Sequence, residues 1–174
     1  MKKFSTKGVS EHTRDGTLGF VSDSQALAWD CNQVQATLDV VSTAVVEITG
    51  ITFRNCTAAG GAAGTDCTVT ATGTNFPWTA TARTTNDIQI HGVNIDITFE
   101  QPLGGGATCG AAAGQRFQVT GTLTGGRWTG NATHEIDFPN SGAGLVSHSA
   151  LGLNSPITPT GTLTDTQQTL TVTN

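Results

Sequence analysis

Residues 31–56 read CNQVQATLDVVSTAVVEITGITFRNC, and this stretch decides the fold. Two runs rich in β-branched residues flank a short connection at residues 42–44, which is the pattern of two strands joined by a turn. If the runs pair antiparallel about this turn, Cys31 lies almost opposite Cys56, within reach of a disulfide. The stretch therefore predicts a β-hairpin that is braced by a Cys31–Cys56 bridge.

Two further cysteines, Cys67 and Cys109, complete a set of four. A second hairpin folded back about Thr85 brings Cys67 within a few positions of Cys109, which makes Cys67–Cys109 the complementary bridge. The spacings contain no CxxC pair, so they do not predict a structural zinc site. Four cysteines allow three connectivities, and the sequence leaves the other pairings open. Bridged cysteines favour an oxidising compartment, so we expect the protein to be secreted or at the cell surface.

Short strand-like runs and turn signals surround the hairpin. A strand over residues 17–27 precedes it, and a phase shift of the apolar residues near Cys31 indicates a bulge. After the hairpin, the glycine- and alanine-rich segment 57–64 predicts a loop. Pro77 marks an edge or a kink, because proline donates no ladder hydrogen bond.

Alternation and turn residues predict the remaining strands. Residues 88–100 form one long run, and its predicted core face contains His91, Val93, Ile95, Ile97 and Phe99. GTLT occurs at residues 121–124 and again at 161–164, before the turn signals Gly125-Gly126 and Asp165-Thr166, so two hairpins are expected. About nine to eleven short strands predict a disulfide-braced all-β fold, either an antiparallel β-sandwich or a barrel.

The chain of 174 residues predicts one β domain and an arm. Residues 1–14 mix charged and polar types without periodicity and predict an N-terminal arm, whereas residues 15–174 predict a single β domain. The first three residues imitate the start of a signal peptide, but residues 4–16 contain no apolar run. We therefore expect either a signal that has been removed or another export route.

The charge and hydropathy patterns exclude two classes of partner. The net charge is −5, and the three lysines, Lys2, Lys3 and Lys7, all lie in the first seven residues. No basic face is left for a phosphate backbone, so nucleic-acid binding is not expected. No stretch approaches the length of a transmembrane helix, so no membrane span is expected.

The ionisable residues do not predict a catalytic or metal site. Among the histidines, His134 stands next to Glu135 and close to Asp137, but strand alternation sends the carboxylates to one face and the imidazole to the other. Glu135 and Asp137 with Asn131 offer oxygen ligands for calcium, but without an EF-hand-like loop. His148 lies between two serines without a GxSxG elbow. We therefore predict no enzyme, no metal and no cofactor.

The three tryptophans receive different predictions. In a chain poor in aromatic residues and without tyrosine, Trp29 and Trp78 are expected in the core. Trp128 follows Gly125-Gly126 and is the tryptophan that we expect to be exposed. It is therefore the candidate ligand contact.

Three quoted segments carry a resemblance to known proteins. They are VVEITGITFRNC after an Asp-Cys pair and a turn, DCTVTATGTNFPWTATA, and IHGVNIDITF followed by a cysteine. The series resembles small secreted all-β proteins common in actinobacteria. More distantly, it resembles the proteobacterial family named after alkane oxidation activation, some members of which are associated with biofilm and adhesion. The likeness covers residues 17–174, implies a secreted protein and carries over no catalytic motif.

These expectations favour a non-enzymatic, extracytoplasmic structural or adhesive β-domain protein. Strand addition at an exposed sheet edge, with the N-terminal arm as donor, predicts a homo-oligomer or a filament. A virion decoration or tail protein is one alternative. A carbohydrate- or lipid-binding module, with a glycan or a lipid as partner, is another.

Overall fold

The structure, a computed structural model, describes residues 3–5, 11–22, 27–61, 67–100, 109, 112–130, 132–138, 144–149, 154–165 and 171–173. These described residues form twelve β-strands, so the all-β prediction is confirmed. The strands are β1 (Lys3–Ser5), β2 (Glu11–Ser22), β3 (Leu27–Ser42), β4 (Val45–Gly61), β5 (Thr68–Gly73), β6 (Trp78–Thr84), β7 (Asp87–Phe99), β8 (Arg116–Trp128), β9 (Glu135–Phe138), β10 (Gly144–Ser149), β11 (Asn154–Asp165) and β12 (Thr171–Thr173).

Ten of the strands close into an antiparallel barrel. Around the barrel β2, β3 and β4 are neighbours, β7 pairs with β8, and β11 pairs with β2 again. β5 and β6 lie end to end between β4 and β7, and β9 and β10 lie end to end between β8 and β11. The ten strands therefore occupy eight positions, and a barrel of this size is narrow enough for side chains to fill. The barrel alternative is the observed one, and the sandwich alternative is wrong.

Both predicted disulfides are present. β3 and β4 pair antiparallel with Cys31 directly opposite Cys56, and these two residues are bridged. Cys67, which precedes β5, is bridged to Cys109. All four cysteines are at least nine-tenths buried. The bridges therefore crosslink the barrel from within.

The inward-facing side chains form one apolar core. The largest fully buried side chains are Trp29, Phe99, Phe138, Ile88, Ile97, Leu145, Ile157 and Val34. Trp29 stacks on Phe20 with ring centroids 5.2 Å apart, and the buried Trp78 stacks on Phe76 at 5.0 Å. Such pairs contribute about 0.5–1.5 kcal/mol each beyond the buried area. The prediction that Trp29 and Trp78 belong to the core is confirmed.

The bulge expected near Cys31 is also present. β2 and β3 shift register between the pairs Gly16–Val34 and Leu18–Cys31, so β3 carries one extra residue there. The shift explains why the buried residues of β3 change phase between Cys31 and Val34.

The core face predicted for β7 is wrong in its first half. Ile88 and Ile90 are buried, whereas His91 is only half-buried, and the predicted phase holds from Val93 onward. Gly92 between the two halves has a φ of 75°, and the register with β8 shifts there. A left-handed glycine inserts one extra position, so both halves of the strand face the core.

Two predicted breaks lie within strands instead. β4 continues to Gly61, because Ala58 pairs with Trp29 and is buried. β8 runs through Gly125-Gly126, and Gly126 pairs with Ile88 of β7. The hairpin expected after residue 124 is therefore wrong. The turn signal at Asp165-Thr166 falls at the end of β11 and extends outside the described residues.

The N-terminal residues pair within the same chain. β1 pairs with β12 in a separate two-stranded sheet, and β2 begins at Glu11, inside the segment predicted as an arm. Because the barrel is closed, its ten described strands leave no long sheet edge for strand addition. Among the described strands, only β1 and β12 have a free edge. The division at residue 14 and the filament stay predictions. Within the described chain no helix is long and apolar enough to cross a membrane.

Candidate functional site

A groove with both polar and apolar lining residues lies on the outer face of the barrel, across β7, β8 and β10. It has a volume of about 470 Å³. Ile97 and Phe117 supply its apolar lining, and its polar wall is formed by Asp96, Thr98, Arg116, Gln118 and His148, which define what we call the outer groove. Each follows or precedes a more deeply buried residue of its strand, so strand alternation turns all five outward.

Cross-strand register brings the outer groove together. Asp96 of β7 lies opposite Gln118 of β8, which in turn lies opposite His148 of β10. Thr98 lies opposite Arg116 in the next outward row. The groove is thus two adjacent rows of polar side chains on a closed sheet, which fixes their spacing.

Hydrogen bonds orient several of these side chains. The Gln118 amide Nε2 donates to Asp96 Oδ1 at 3.2 Å. The His148 ring Nε2 lies 3.0 Å from the Thr120 hydroxyl, which is on the next outward position of β8. These contacts restrict rotamers before any ligand binds, which lowers the entropy lost on binding.

The chemistry of the outer groove suits a polyhydroxylated ligand. Carboxylate, amide, imidazole and guanidinium groups together supply both donors and acceptors, and in three of them, the carboxylate, the amide and the guanidinium, the polar atoms lie side by side on one planar carbon. Such groups can bind two neighbouring hydroxyls at once, as a fork does. One negative and one positive side chain, Asp96 and Arg116, leave the groove without a strong excess of either charge.

The barrel interior contains a second, much smaller space. This cavity has a volume of about 50 Å³, and only apolar atoms face it. Ligand pockets are usually about 300–1,000 Å³, and a cavity of about 150 Å³ is needed for benzene. The interior is therefore too small for a sugar or a long acyl chain.

Trp128, the predicted ligand contact, is not exposed. Its side chain is buried and makes an edge contact with the ring of His134 at 6.1 Å. Its backbone N–H donates to the carbonyl oxygen of Thr85, and it pairs with Ile136 of β9. The prediction of exposure is wrong because Gly125-Gly126 is part of β8 rather than a turn.

Among the described residues, the histidines and the acidic pair do not converge into one cluster. Glu135 and Asp137 are half-buried on the outward side of β9, while His134 is buried beside Trp128, so the predicted separation of faces is confirmed. The Glu135 carboxylate accepts a hydrogen bond from the Thr164 hydroxyl at 3.4 Å. His91 faces outward, with its ring nitrogens near the hydroxyls of Thr81 and Thr122.

A metal-binding cluster is not found in the part of the chain that the structure describes. No group of three or more histidine, cysteine, aspartate or glutamate side chains converges there. Asn131, the third ligand considered for calcium, lies outside the described residues.

The outer groove was not predicted from the sequence. Asp96, Gln118 and His148 lie on three different strands and in no motif that links them. Their proximity depends on the register of β7 with β8 and on the pairing of β8 with β10. Comparisons with family models, with curated proteins and with solved structures return no match to this chain.

Proposed function

We propose that this protein is a non-enzymatic, extracytoplasmic adhesive module that binds carbohydrate through the outer groove. The observation that carries the proposal is the row of Asp96, Gln118 and His148 in direct cross-strand register, flanked by Arg116 and Thr98. Such planar donors and acceptors can form hydrogen bonds with the hydroxyl groups of a sugar.

The sizes of the two spaces support a sugar rather than a lipid. The outer groove, at about 470 Å³, falls in the range of small-molecule sites, whereas the interior cavity of about 50 Å³ does not. Because the apolar interior is already filled by side chains, an acyl chain would have to displace them.

The scaffold suits recognition in an exposed setting. The groove residues lie on strands of a closed barrel, and sites on regular elements hold their geometry better than sites on loops. The two disulfides favour an oxidising compartment, which supports a location outside the cytoplasm. Adhesion to a glycan-bearing surface follows from carbohydrate binding by such a domain.

The test is glycan binding by the oxidised full-length protein and by Gln118→Ala. A glycan array identifies a ligand, and calorimetry measures its dissociation constant. Because Gln118 supplies both a donor and an acceptor at the centre of the groove, we expect Gln118→Ala to weaken binding by about tenfold or more.

A matched control lies at the other end of β7. Gln89 donates to Asp87 Oδ1 at 2.9 Å, so it repeats the glutamine–aspartate pair outside the groove. Gln89→Ala should bind the glycan as the unmodified protein does. The proposal fails if no glycan binds, or if both substitutions change the dissociation constant equally.

A further inference from the structure

The polar rows of the outer groove continue along β7 and β8 beyond the groove itself. Asn94 is the outward residue of β7 that precedes Asp96, and its cross-strand partner is Thr120. One row further, the Thr122 hydroxyl lies 3.4 Å from His91 Nδ1. We call His91, Asn94, Thr120 and Thr122 the polar extension. It lengthens the outer groove in the direction of the strands.

The bulge at Gly92 places His91 on this face. Strict alternation back from Asn94 would turn Ile90 outward and His91 inward. Instead Gly92 has a φ of 75° and inserts one extra position, so that Ile90 is buried and His91 is half-buried. The irregularity therefore adds a polar side chain to the outer face and keeps an isoleucine away from it.

Hydrogen bonds orient the polar extension, as they orient the outer groove. The Thr74 hydroxyl donates to Asn94 Oδ1 at 2.9 Å, and His91 Nε2 lies 3.2 Å from the Thr81 hydroxyl. A hydroxyl has one donor and two acceptor positions, so a threonine that contacts an imidazole can still form a hydrogen bond with a ligand. Side chains that are held in this way lose little entropy when a ligand binds.

The neighbouring strand β10 leaves the polar extension open. Its residues Val146 and Gly144 are the partners of Thr120 and Thr122. A Cβ on Gly144 would lie 4.0 Å from that of Thr122, so glycine keeps a side chain away from that row. Val146 is half-buried and offers an apolar surface to the C–H groups of a sugar ring. A ligand that lies in the outer groove can therefore continue toward Thr122.

We propose that the outer groove and the polar extension together bind about four consecutive rings of a linear polysaccharide, which lies along β7 and β8. This inference rests on the proposed carbohydrate binding and names its ligand class. Arg116 and Thr122 are six positions apart on β8, which is about 20 Å at about 3.3 Å per residue. About four pyranose rings have this length, because each ring is about as long as the spacing between neighbouring strands. The protein thus recognises the interior of a glycan chain rather than a single terminal sugar.

The test is calorimetry on the oxidised full-length protein with glycans of different length. The probes are the disaccharide, the tetrasaccharide and the hexasaccharide of the cello, laminari, manno and chito series. In a series that binds, the dissociation constant of the tetrasaccharide should be at least about tenfold lower than that of the disaccharide, because only the longer chain reaches the polar extension. The hexasaccharide should bind as the tetrasaccharide does, within about twofold.

A substitution at the far end of the polar extension gives a second readout. Thr122→Val removes the hydroxyl and keeps the shape of the side chain, so it should weaken tetrasaccharide binding about fivefold and leave disaccharide binding unchanged within about twofold. The matched control is Thr162→Val, because Thr162 is the corresponding, half-buried residue of the second GTLT segment and lies on β11. Thr162→Val should change neither dissociation constant, whereas Gln118→Ala should weaken the binding of both probes.

Two kinds of failure can be told apart. Equal binding of the disaccharide and the tetrasaccharide overturns this inference and leaves the proposed function standing. An equal loss of both probes in Thr122→Val, or an equal effect of Thr122→Val and Thr162→Val, also overturns it. So does a failure of all four series to bind, whereas the proposed function falls only if the glycan array gives no ligand. The comparison of lengths needs no variant, so it decides the matter even if Thr122→Val does not fold.

Discussion

The two GTLT segments share a backbone conformation at their first residue. Gly121 and Gly161 have φ values of 131° and 134°, in the left-handed region that favours glycine. A Cβ atom on Gly161 would clash with the carbonyl oxygen of Thr17, and one on Gly121 would clash with that of Gly144. The repeat therefore marks two places where a long strand passes close to its neighbour.

Replacing Gly161 should destabilise the fold, whereas replacing Gly50 should not. Gly161→Ala introduces both an unfavourable φ and a backbone clash, so we expect the free energy of unfolding to fall by about 2–4 kcal/mol. A Cβ on Gly50 meets no atom within 4 Å. Gly50→Ala should be neutral or stabilise by up to about 1 kcal/mol, since alanine restricts the unfolded chain. Urea unfolding measures both variants, and equal changes would contradict this account.

At the scale of the strand, the sequence predicted the positions of the strands well. It predicted less well which side chains of each strand face the core. The hairpin of β3 and β4 followed from two cysteines and a short turn. The faces of β7 did not follow from alternation, because Gly92 shifts the phase in the middle of the strand. Gly125-Gly126 predicted a turn, but these residues lie inside β8. Glycine inside a strand permits close packing as well as a turn, so it does not decide between the two. Phe138 lies against Gly126, where a Cβ would be crowded.

The two disulfides should make comparable contributions to stability. They close loops with sequence separations of 25 and 42 residues. From chain entropy we expect Cys31→Ala/Cys56→Ala to lower the free energy of unfolding by about 3–4 kcal/mol, and Cys67→Ala/Cys109→Ala by slightly more. Urea unfolding of the oxidised proteins measures this. A loss below about 1 kcal/mol in either double variant would show that the bridge does not brace the barrel.

At the scale of the molecule, closure decides how the protein associates. β2 and β11, from opposite ends of the chain, pair over eight residue positions and complete the barrel. The long unpaired edge on which strand addition depends is thereby removed. The expectation of a filament rested on such an edge, and among the described strands only the short β1 and β12 keep a free one, so we expect a monomer.

Light scattering after size-exclusion chromatography should give a mass near 17.9 kDa. The mass should not change as the protein concentration rises, because the ten described strands of the barrel offer no long edge to a second copy. A mass that increases with concentration would contradict the prediction. In that case, deletion of residues 1–10 would establish whether exchange of β1 is responsible.

The whole molecule also explains why the candidate site escaped prediction. Asp96, Gln118 and His148 are separated by more than twenty residues from one another along the chain, and strand order alone makes them neighbours. β8 reaches β10 because β9 and β10 share one position of the barrel. Local patterns contain no information about such sharing. They were enough to predict both disulfides and the burial of two of the three tryptophans.

The end-to-end placement of β9 and β10 opens a route for engineering. Between Phe138 and Gly144 the chain leaves one short strand and enters the next, while β8 and β11 run on past both. A foreign peptide spliced in at that junction would interrupt neither flanking ladder. The barrel could thus serve as a display frame that carries an epitope on its wall rather than at its mouth.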